Sequence, residues 1–158
     1  MRLTFTVDGA RLIIFTHESV EQMRAHAQRS FWQREAGGVL LGRHLLESRN
    51  LVVDEVTVPQ AADKRSRFGF FRSHQHSALA QAKWAASQGT AAYLGLWHTH
   101  PEADPTPSHV DRNDWTKAVG MDSFHGEELF FPIVGTQRIR VWTKSRCGAI
   151  RELAEARS

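Results

Sequence analysis

Apolar and polar residues alternate in several short runs along the chain, and this period of two predicts β-strands. The runs span residues 2–7, 11–15, 37–46, 51–58, 91–99, 128–134 and 138–144, and residues 149–153 are a candidate edge strand. The first two runs are separated by Asp8-Gly9-Ala10, a segment that tolerates positive φ and therefore indicates a hairpin. The chain therefore begins with paired strands.

Three segments with helical spacing of apolar residues lie between these strands. They run from about Glu18 to Arg29, from a cap at Ser73 to about Gln88, and from about Ser108 to Val119. Residues 59–72 are polar and basic, and we expect an irregular connection there. No internal repeat and no low-complexity segment interrupts this order.

Length and composition narrow the class of protein. The 158 residues fit a single domain over residues 1–158, and 41% of them are hydrophobic, which is enough for a substantial core. The only cysteine, Cys147, excludes an intrachain disulfide and a thiolate-rich zinc site. No stretch approaches the roughly 20 apolar residues of a membrane span, and the N-terminus lacks the apolar core of a secretion signal. We therefore expect a cytoplasmic protein that does not enter a membrane.

The charge pattern argues against nucleic acid as a partner. The formal net charge is only +3, and the basic residues are scattered along the chain. The densest basic stretch is Lys64-Arg65-Ser66-Arg67, with Arg72 nearby. It could contact an acidic partner, although such a stretch is more often a solvated loop.

The chemically informative segment runs from His98 to Asp111, where a predicted strand ends, a proline-rich loop follows and a helix begins. Alternate side chains of a strand share one face, so His98 and His100 can bind one metal ion while Thr99 points the other way. The loop can then return the carboxylate of Asp111 to the same ion. Two imidazoles and one carboxylate leave a fourth tetrahedral position open, as catalytic zinc sites require.

Other interpretations apply to these residues when each is taken alone. Ser108 and Asp111 fit a helix-capping pattern, in which a hydroxyl and a carboxylate three residues later bind free amide groups. An isolated His-x-His on a strand is more often structural than metal-binding. The joint spacing favours the metal site, because both histidines, the serine and the aspartate fall in one strand-loop-helix unit.

This segment resembles the signature of the JAMM family, also called JAB1/MPN/Mov34, in which His-x-His is followed after seven residues by Ser-x-x-Asp. The family's upstream glutamate has a counterpart in Glu35, which enters the glycine-containing run Gly37 to Gly42, 63 positions before His98. The resemblance extends over nearly the whole chain. It implies an α+β fold of three α/β/α-like layers, in which helices flank a curved mixed sheet as in JAB/MPN and cytidine-deaminase-like domains.

The resemblance also implies a role for each residue of the motif. His98, His100 and Asp111 would bind one Zn²⁺ per chain, which lowers the pKa of a bound water molecule. Glu35 would move protons to and from that water, and Ser108 would donate a hydrogen bond to the oxyanion. Glu102 and Asp104, in the loop after the histidines, are candidate substrate contacts.

Several rival sites carry less weight. His74-Gln-His76 repeats the His-x-His spacing but falls at a predicted helix start, where residues two apart point to different sides. Asp114 lies one helical turn beyond Asp111, but the spacing after Ser108 favours Asp111. A nucleotide deaminase needs a Cys-x-x-Cys pair, which a chain with one cysteine cannot supply.

The segment from Tyr93 to Glu102 particularly resembles compact bacterial peptidases from operons that also encode ubiquitin-like activating and conjugating enzymes, antiphage systems among them. The resemblance implies an isopeptidase that removes a ubiquitin-like protein, or a nucleotidyltransferase joined through its C-terminus, from a target lysine or a precursor tail. Processing of a sulphur-carrier precursor and a non-catalytic MPN scaffold are the alternatives. We expect the substrate tail to lie extended beside a sheet edge, in a groove lined by the 101–107 loop and the Lys64–Arg72 segment.

Overall fold

A computed structural model describes residues 1–157 and contains one large mixed sheet with helices on both faces. The elements in chain order are β1 (Leu3–Thr6), β2 (Leu12–Phe15), α1 (His17–Arg24), β3 (Gly37–His44), β4 (Leu51–Val56), β5 (Lys64–Ser66), β6 (Gly69–Phe71), α2 (His74–Ala86), β7 (Ala92–Thr99), α3 (His109–Met121), β8 (Glu128–Val134), β9 (Ile139–Ser145), β10 (Arg151–Glu152) and β11 (Ala154–Glu155). None of the helices within residues 1–157 has the length and hydrophobicity needed to cross a membrane.

The large sheet has the strand order β10-β9-β8-β7-β3-β4-β2-β1-β11, and β5 and β6 form a separate hairpin. The pairs β2/β4 and β7/β8 are parallel, whereas the other neighbouring strands are antiparallel. Strands β7 and β3 therefore lie in the middle of the sheet, where both neighbours fix their register. A functional group at the end of β7 is therefore held in a fixed position by the pairing of that strand on both sides.

Each face of the sheet carries its own hydrophobic core. On one face, Val20 and Met23 of α1 pack with Phe15 and Trp97, and all four side chains are essentially buried. On the other face, Trp115 of α3 stacks on Phe131 of β8, with ring centroids 4.8 Å apart. Because apolar residues on both faces must be covered, the helices lie on opposite sides, and the expected three-layer α+β fold is confirmed.

Helix α2 packs loosely on the sheet. Of its 13 residues only His76 is buried. The ring of His76 lies between Thr57 Oγ1, 2.6 Å from its Nδ1, and Asp63 Oδ2, 2.8 Å from its Nε2. Thr57 Oγ1 also accepts a hydrogen bond from the backbone N–H of Val39, at 2.8 Å. This polar network attaches the start of α2 to β3, and apolar packing contributes little.

A glycine in β3 permits this close approach. A Cβ atom at position 38 would lie 2.0 Å from the backbone oxygen of Thr57, so only glycine fits there. Gly38 thereby allows the segment after β4 to run directly beside β3. None of the glycines in β3 has a positive φ. They are needed because neighbouring backbone lies too close to leave room for a side chain.

Two of the predicted elements were wrong in extent. Helix α1 ends at Arg24 and not near Arg29, because the chain then tightens and brings the Gln28 side chain to the backbone oxygens of Gln33 and Arg67. Of the predicted 149–153 edge strand only Arg151–Glu152 forms a strand, β10 at one edge of the sheet, and the two-residue strand β11 follows at the opposite edge.

The connection predicted over residues 59–72 is also partly wrong, because it contains the β5–β6 hairpin. Its strands pair Lys64 with Phe71 and Ser66 with Gly69, around a turn at Arg67 and Phe68. Three-residue strands are too short for a period of two to be visible. The hairpin is held by tertiary contacts, such as the hydrogen bond from the N–H of Glu35 to the Ser66 oxygen, at 2.7 Å.

Candidate metal centre

The end of β7 places two imidazoles on one face of the sheet. His98 and His100 point toward α3, whereas Thr99 points to the opposite face, as the period of two predicts. There the Thr99 hydroxyl donates to Gln28 Oε1 at 2.8 Å and accepts from the N–H of Ala36 at 2.9 Å. The intervening threonine therefore fixes the strand from behind while the two histidines face the site.

Strand pairing brings Glu35 to the same place. Gly37 of β3 is the partner of His98 in β7, so the residues just before β3 lie beside the end of β7. The Glu35 side chain is only 6% exposed, and its Oε1 lies 3.9 Å from His98 Nε2. The glutamate that is remote in sequence is thus the fourth member of one buried cluster.

The first turn of α3 brings the carboxylate of Asp111 to the two histidines. Ser108 caps the helix: its Oγ accepts the N–H of Asp111 at 3.1 Å, and Asp111 Oδ2 accepts the N–H of Ser108 at 2.8 Å. The same Oδ2 atom lies 3.2 Å from His98 Nε2 and 3.0 Å from His100 Nε2. The predicted capping pattern of Ser108 and Asp111 is confirmed, and the capping box orients the carboxylate toward the histidines. Metal binding by Asp111 stays a prediction.

The spacing of these atoms suits a metal ion. His98 Nε2 and His100 Nε2 lie 3.1 Å apart, and each is 3.0–3.2 Å from Asp111 Oδ2. Ligands bound at about 2.0–2.1 Å in a tetrahedron lie about 3.3 Å from one another, so this triangle is nearly that of one tetrahedral face. Glu35, His98, His100 and Asp111 together offer donor atoms that all lie within 4.8 Å of each other.

Burial sets the protonation behaviour of the cluster. It raises the pKa of the Glu35 carboxyl to about 8, a shift that His100 opposes and the Asp111 carboxylate reinforces. Burial also lowers the pKa of His98, which favours the neutral imidazole that a metal needs. For Asp111, burial opposes ionisation, but hydrogen bonds from His100 and His98 outweigh it and hold the carboxyl pKa well below its usual range.

The other acidic residues of this region have different environments. Glu102 Oε1 lies 2.8 Å from His100 Nδ1, the ring nitrogen that faces away from the cluster. Asp104 is exposed and pairs with Arg138 at 3.2 Å and Arg140 at 3.6 Å. Asp114 is not a member of the four-residue cluster, and its Oδ2 lies 3.3 Å from Arg72 Nη1. The assignment of Glu102 and Asp104 as substrate contacts stays a prediction.

Sequence reasoning did not foresee that Arg72 lies at the site. Its Nε donates to the Gly38 oxygen and its Nη2 to the Trp97 oxygen, both at 3.0 Å, and its Nη1 lies 3.3 Å from Asp114 Oδ2. The guanidinium thus spans β3 and β7 just behind His98. The sequence places Arg72 near a basic stretch that could contact an acidic partner. No sequence signal indicates that Arg72 instead binds backbone oxygens.

An open cleft of about 1770 Å³ leads to the cluster. The cluster residues Glu35, His98, His100 and Asp111 lie in its wall. The cleft continues between α2 and α3, past Trp84 and Met121, as far as His125. Residues 68–72 of the hairpin segment and Pro101, Glu102, Thr106 and Pro107 of the loop also line it. Both segments expected to form a substrate groove therefore do border the cleft.

Comparison with known proteins gives concordant matches. A model of the prokaryotic homologues of the JAB domain matches residues 16–145. A Pseudomonas aeruginosa protein named CD-NTase/cGAS isopeptidase is 44% identical over 111 residues, which cover 70% of this chain and 69% of that protein. A Vibrio cholerae protein of the same name is 31% identical over 148 residues, which cover 92% and 90% of the two chains.

A solved structure resembles the fold as well. The solution structure of a Desulfitobacterium hafniense protein superposes with a TM-score of 0.62 over 87% of each chain. The two sequences are only 22% identical, so this likeness concerns the fold alone.

Proposed function

The chain belongs to the prokaryotic homologues of the JAB domain, and from that premise we propose that it is a zinc-dependent isopeptidase of the JAMM type. The single observation that carries the proposal is the convergence of Glu35, His98, His100 and Asp111 within 4.8 Å at the base of an open cleft. Three of these groups suit a metal, and the fourth suits proton transfer. A scaffold without catalysis would have no use for all four.

Zinc is the proposed metal because the donor set combines two imidazoles with one carboxylate. His98, His100 and Asp111 would hold the ion, and the ion would supply the Lewis acidity that lowers the pKa of a water molecule. Glu102 fits this assignment, since a metal-binding imidazole commonly donates its other N–H to a carboxylate. That contact fixes the ring so that Nε2 of His100 faces His98 and Asp111, where the ion would be held.

Glu35 is the proposed proton carrier. Burial raises its pKa to about 8 in the absence of a metal, and a cation bound beside it would lower that pKa, so that near neutral pH the carboxylate can accept a proton and return it. In the reaction it takes a proton from the attacking water and delivers it to the amine that leaves. The side chain is nearly buried, so bulk water does not compete for the proton during this transfer.

Ser108 is the proposed hydrogen-bond donor to the oxyanion. Its Oγ accepts the N–H of Asp111, so the hydroxyl hydrogen remains available for donation into the cleft. A single such donor typically contributes roughly 10²–10³-fold in kcat. The capping contact holds this oxygen in one position, which suits a group that must be oriented before the reaction.

We assign the acyl side of the scissile bond to the C-terminal tail of a nucleotidyltransferase, or of a ubiquitin-like protein that uses the same conjugation chemistry. The relatives named CD-NTase/cGAS isopeptidase support the first of these substrates. The tail would lie extended in the cleft, beside the hairpin β5–β6. The large sheet offers no edge here, since β3 and β7 are central, so the hairpin supplies the edge for backbone pairing.

On this proposal the enzyme acts in the bacterial cytoplasm, on conjugates made by activating and conjugating enzymes of the same operon, as part of antiphage defence. A sulphur-carrier precursor is the alternative substrate that an assay must exclude. Neither nucleic acid nor a membrane is needed as a partner.

The test combines metal analysis with hydrolysis. Purified protein should carry about one zinc per chain and should release a nucleotidyltransferase from a lysine-linked conjugate, and a strong chelator should abolish this activity until zinc is restored. A ubiquitin-like conjugate and a sulphur-carrier fusion serve as comparison substrates. Full activity after demonstrated removal of the metal would refute the metal-dependent mechanism.

A further inference from the structure

Three large aromatic side chains beside the metal centre are exposed without an evident structural reason. Phe31, Trp32 and Phe68 are 74%, 72% and 78% exposed, and we call them the aromatic platform. The rings of Phe31 and Trp32 stand edge to face, with centroids 5.5 Å apart. Tryptophan, phenylalanine and arginine side chains are typical of surfaces at which a few residues provide most of the binding energy.

The platform is held rigidly. Arg67 Nη1 donates to the oxygen of Phe31 and, at 3.3 Å, to that of Ser30, while its guanidinium lies 5.5 Å from the centre of the Phe68 ring. Two hydrogen bonds between Ser30 and Gln33 close the turn that carries Phe31. The N–H of Gln33 donates to the Ser30 oxygen at 3.0 Å, and the N–H of Ser30 donates to Gln33 Oε1 at 2.7 Å. The two aromatic turns are therefore joined to each other and do not swing independently.

The platform is also tied to the metal-binding strand. The buried Gln28 donates from Nε2 to the oxygens of Gln33 and Arg67, and its Oε1 accepts the hydroxyl of Thr99, at 2.8 Å. Thr99 stands between the two histidine ligands. A protein bound to the platform would thus be held in a fixed position relative to the reacting bond.

We propose that the aromatic platform binds the protein whose lysine carries the isopeptide bond, on the amine side of that bond. This inference rests on the proposed function. A lysine side chain reaches only about 6 Å from its backbone, so the target protein must approach the metal closely. An extended tail on the acyl side gains about 3.3 Å per residue and can leave its folded body at the far end of the cleft.

The position of the platform agrees with this division of the two sides. Trp32 precedes Glu35 by three residues, a distance of at most about 11 Å along the chain. Phe68 lies in the cleft wall, whereas Phe31 and Trp32 lie outside the cleft that would hold the tail. A folded protein that contacts Trp32 is therefore close enough to extend a lysine toward the reacting bond.

The charge of the surrounding segments specifies the partner further. Residues 25–34 and 64–72 contain six basic and no acidic residues, namely Arg29, Arg34, Lys64, Arg65, Arg67 and Arg72. A complementary surface would be acidic around an apolar patch. Two copies of this chain would repel each other at the same place, so a target protein fits better than a second copy.

The experiment compares two substrates that share one acyl tail. In the first substrate the tail is joined to a lysine of a folded acidic protein. In the second it is joined to aminocoumarin, a small fluorophore that is too small to contact the platform. Trp32→Ala and the double variant Phe31→Ala/Trp32→Ala are the test proteins, because both residues lie outside the cleft that would hold the tail. Leu46→Ala is the matched control, because Leu46 is 96% exposed and lies on the distant β3–β4 connection.

The platform variants should lose roughly tenfold or more in kcat/KM on the protein conjugate, mainly through KM, and stay within twofold of wild type on the aminocoumarin substrate. Equal losses on both substrates, or no loss on either, would overturn the inference. So would a change of oligomeric state in light scattering, because the platform would then bind a second copy. If the wild type cleaves neither substrate, the proposed function itself fails.

Discussion

Replacement of Asp63 by Asn should lower the free energy of unfolding, because it removes one buried charge from the network that holds the start of α2. The Asp63 side chain is fully buried, and its Oδ2 lies 2.8 Å from His76 Nε2. The backbone N–H groups of Gln60 and Ser73 donate to the same carboxylate at 2.7 and 2.8 Å. Asparagine has nearly the same shape, so the change alters charge and leaves packing intact.

The magnitude follows from the pKa of this carboxyl. Burial opposes its ionisation, but the hydrogen bonds from Gln60, His76 and Ser73 outweigh burial and lower the pKa of Asp63 from 3.8 to about 2. A shift of nearly two units corresponds to about 2 kcal/mol of unfolding free energy. Because the folded pKa is the lower one, this stabilisation is present above about pH 4 and is lost as the pH falls toward 2.

The assay is urea unfolding of metal-free wild type and Asp63→Asn at a series of pH values from 7 to 3. At pH 7 the variant should be less stable by about 2 kcal/mol, and the difference should shrink as the pH falls below 4. Asp54→Asn is the control, because Asp54 forms an exposed ion pair with Arg43, and such pairs contribute less than about 1 kcal/mol. A difference between wild type and Asp63→Asn that stays constant from pH 7 to pH 3 would refute the reasoning.

Three further predictions concern the site. Glu35→Gln should lower turnover roughly 10²–10⁴-fold with zinc content unchanged, and loss of the zinc would contradict its role in proton transfer. Glu102→Ala should weaken zinc binding about tenfold or more in competition with a chromogenic chelator, because His100 loses its partner, and Glu102→Gln should recover part of the affinity; a rise in KM alone would instead make Glu102 a substrate contact. Rates on fusions with Gly, Ala, Val and Phe at the residue that donates the scissile carbonyl should fall with side-chain size, whereas equal rates would exclude steric selection of the tail.

The clustering of the candidate metal-binding residues could be predicted from sequence because most of the cluster is local. His98, His100, Ser108 and Asp111 lie within 14 consecutive residues, and strand and helix geometry alone brings three of them together. Glu35 could not be placed by geometry, since its position depends on which strands pair. Only the resemblance to the JAMM motif connected it with the histidines.

The segments around the site were harder to predict, because long-range contacts determine them. The β5–β6 hairpin is short, and it forms where Glu35, Gln28 and Asp63 bind its backbone or its ends. Helix α1 stops early although residues 25–29 could continue it, because Gln28 finds buried partners outside the helix. The secondary-structure preferences of neighbouring residues give no information about these long-range contacts.

Thr99 explains how the distant glutamate keeps its place beside the histidines. Its N–H donates to the oxygen of Ala36 at 2.9 Å, and its hydroxyl accepts the N–H of Ala36, also at 2.9 Å. These two bonds fix the residue that follows Glu35 against the residue that separates the histidines. The hydroxyl then donates to Gln28, so each of its contacts is satisfied inside the core. Valine has the same shape without the hydroxyl and would leave the N–H of Ala36 and Oε1 of Gln28 without this partner, at a cost of about 1–3 kcal/mol for each buried group. The residue between the two histidines therefore helps to set the separation between Glu35 and the imidazoles, although its own side chain lies on the opposite face of the sheet.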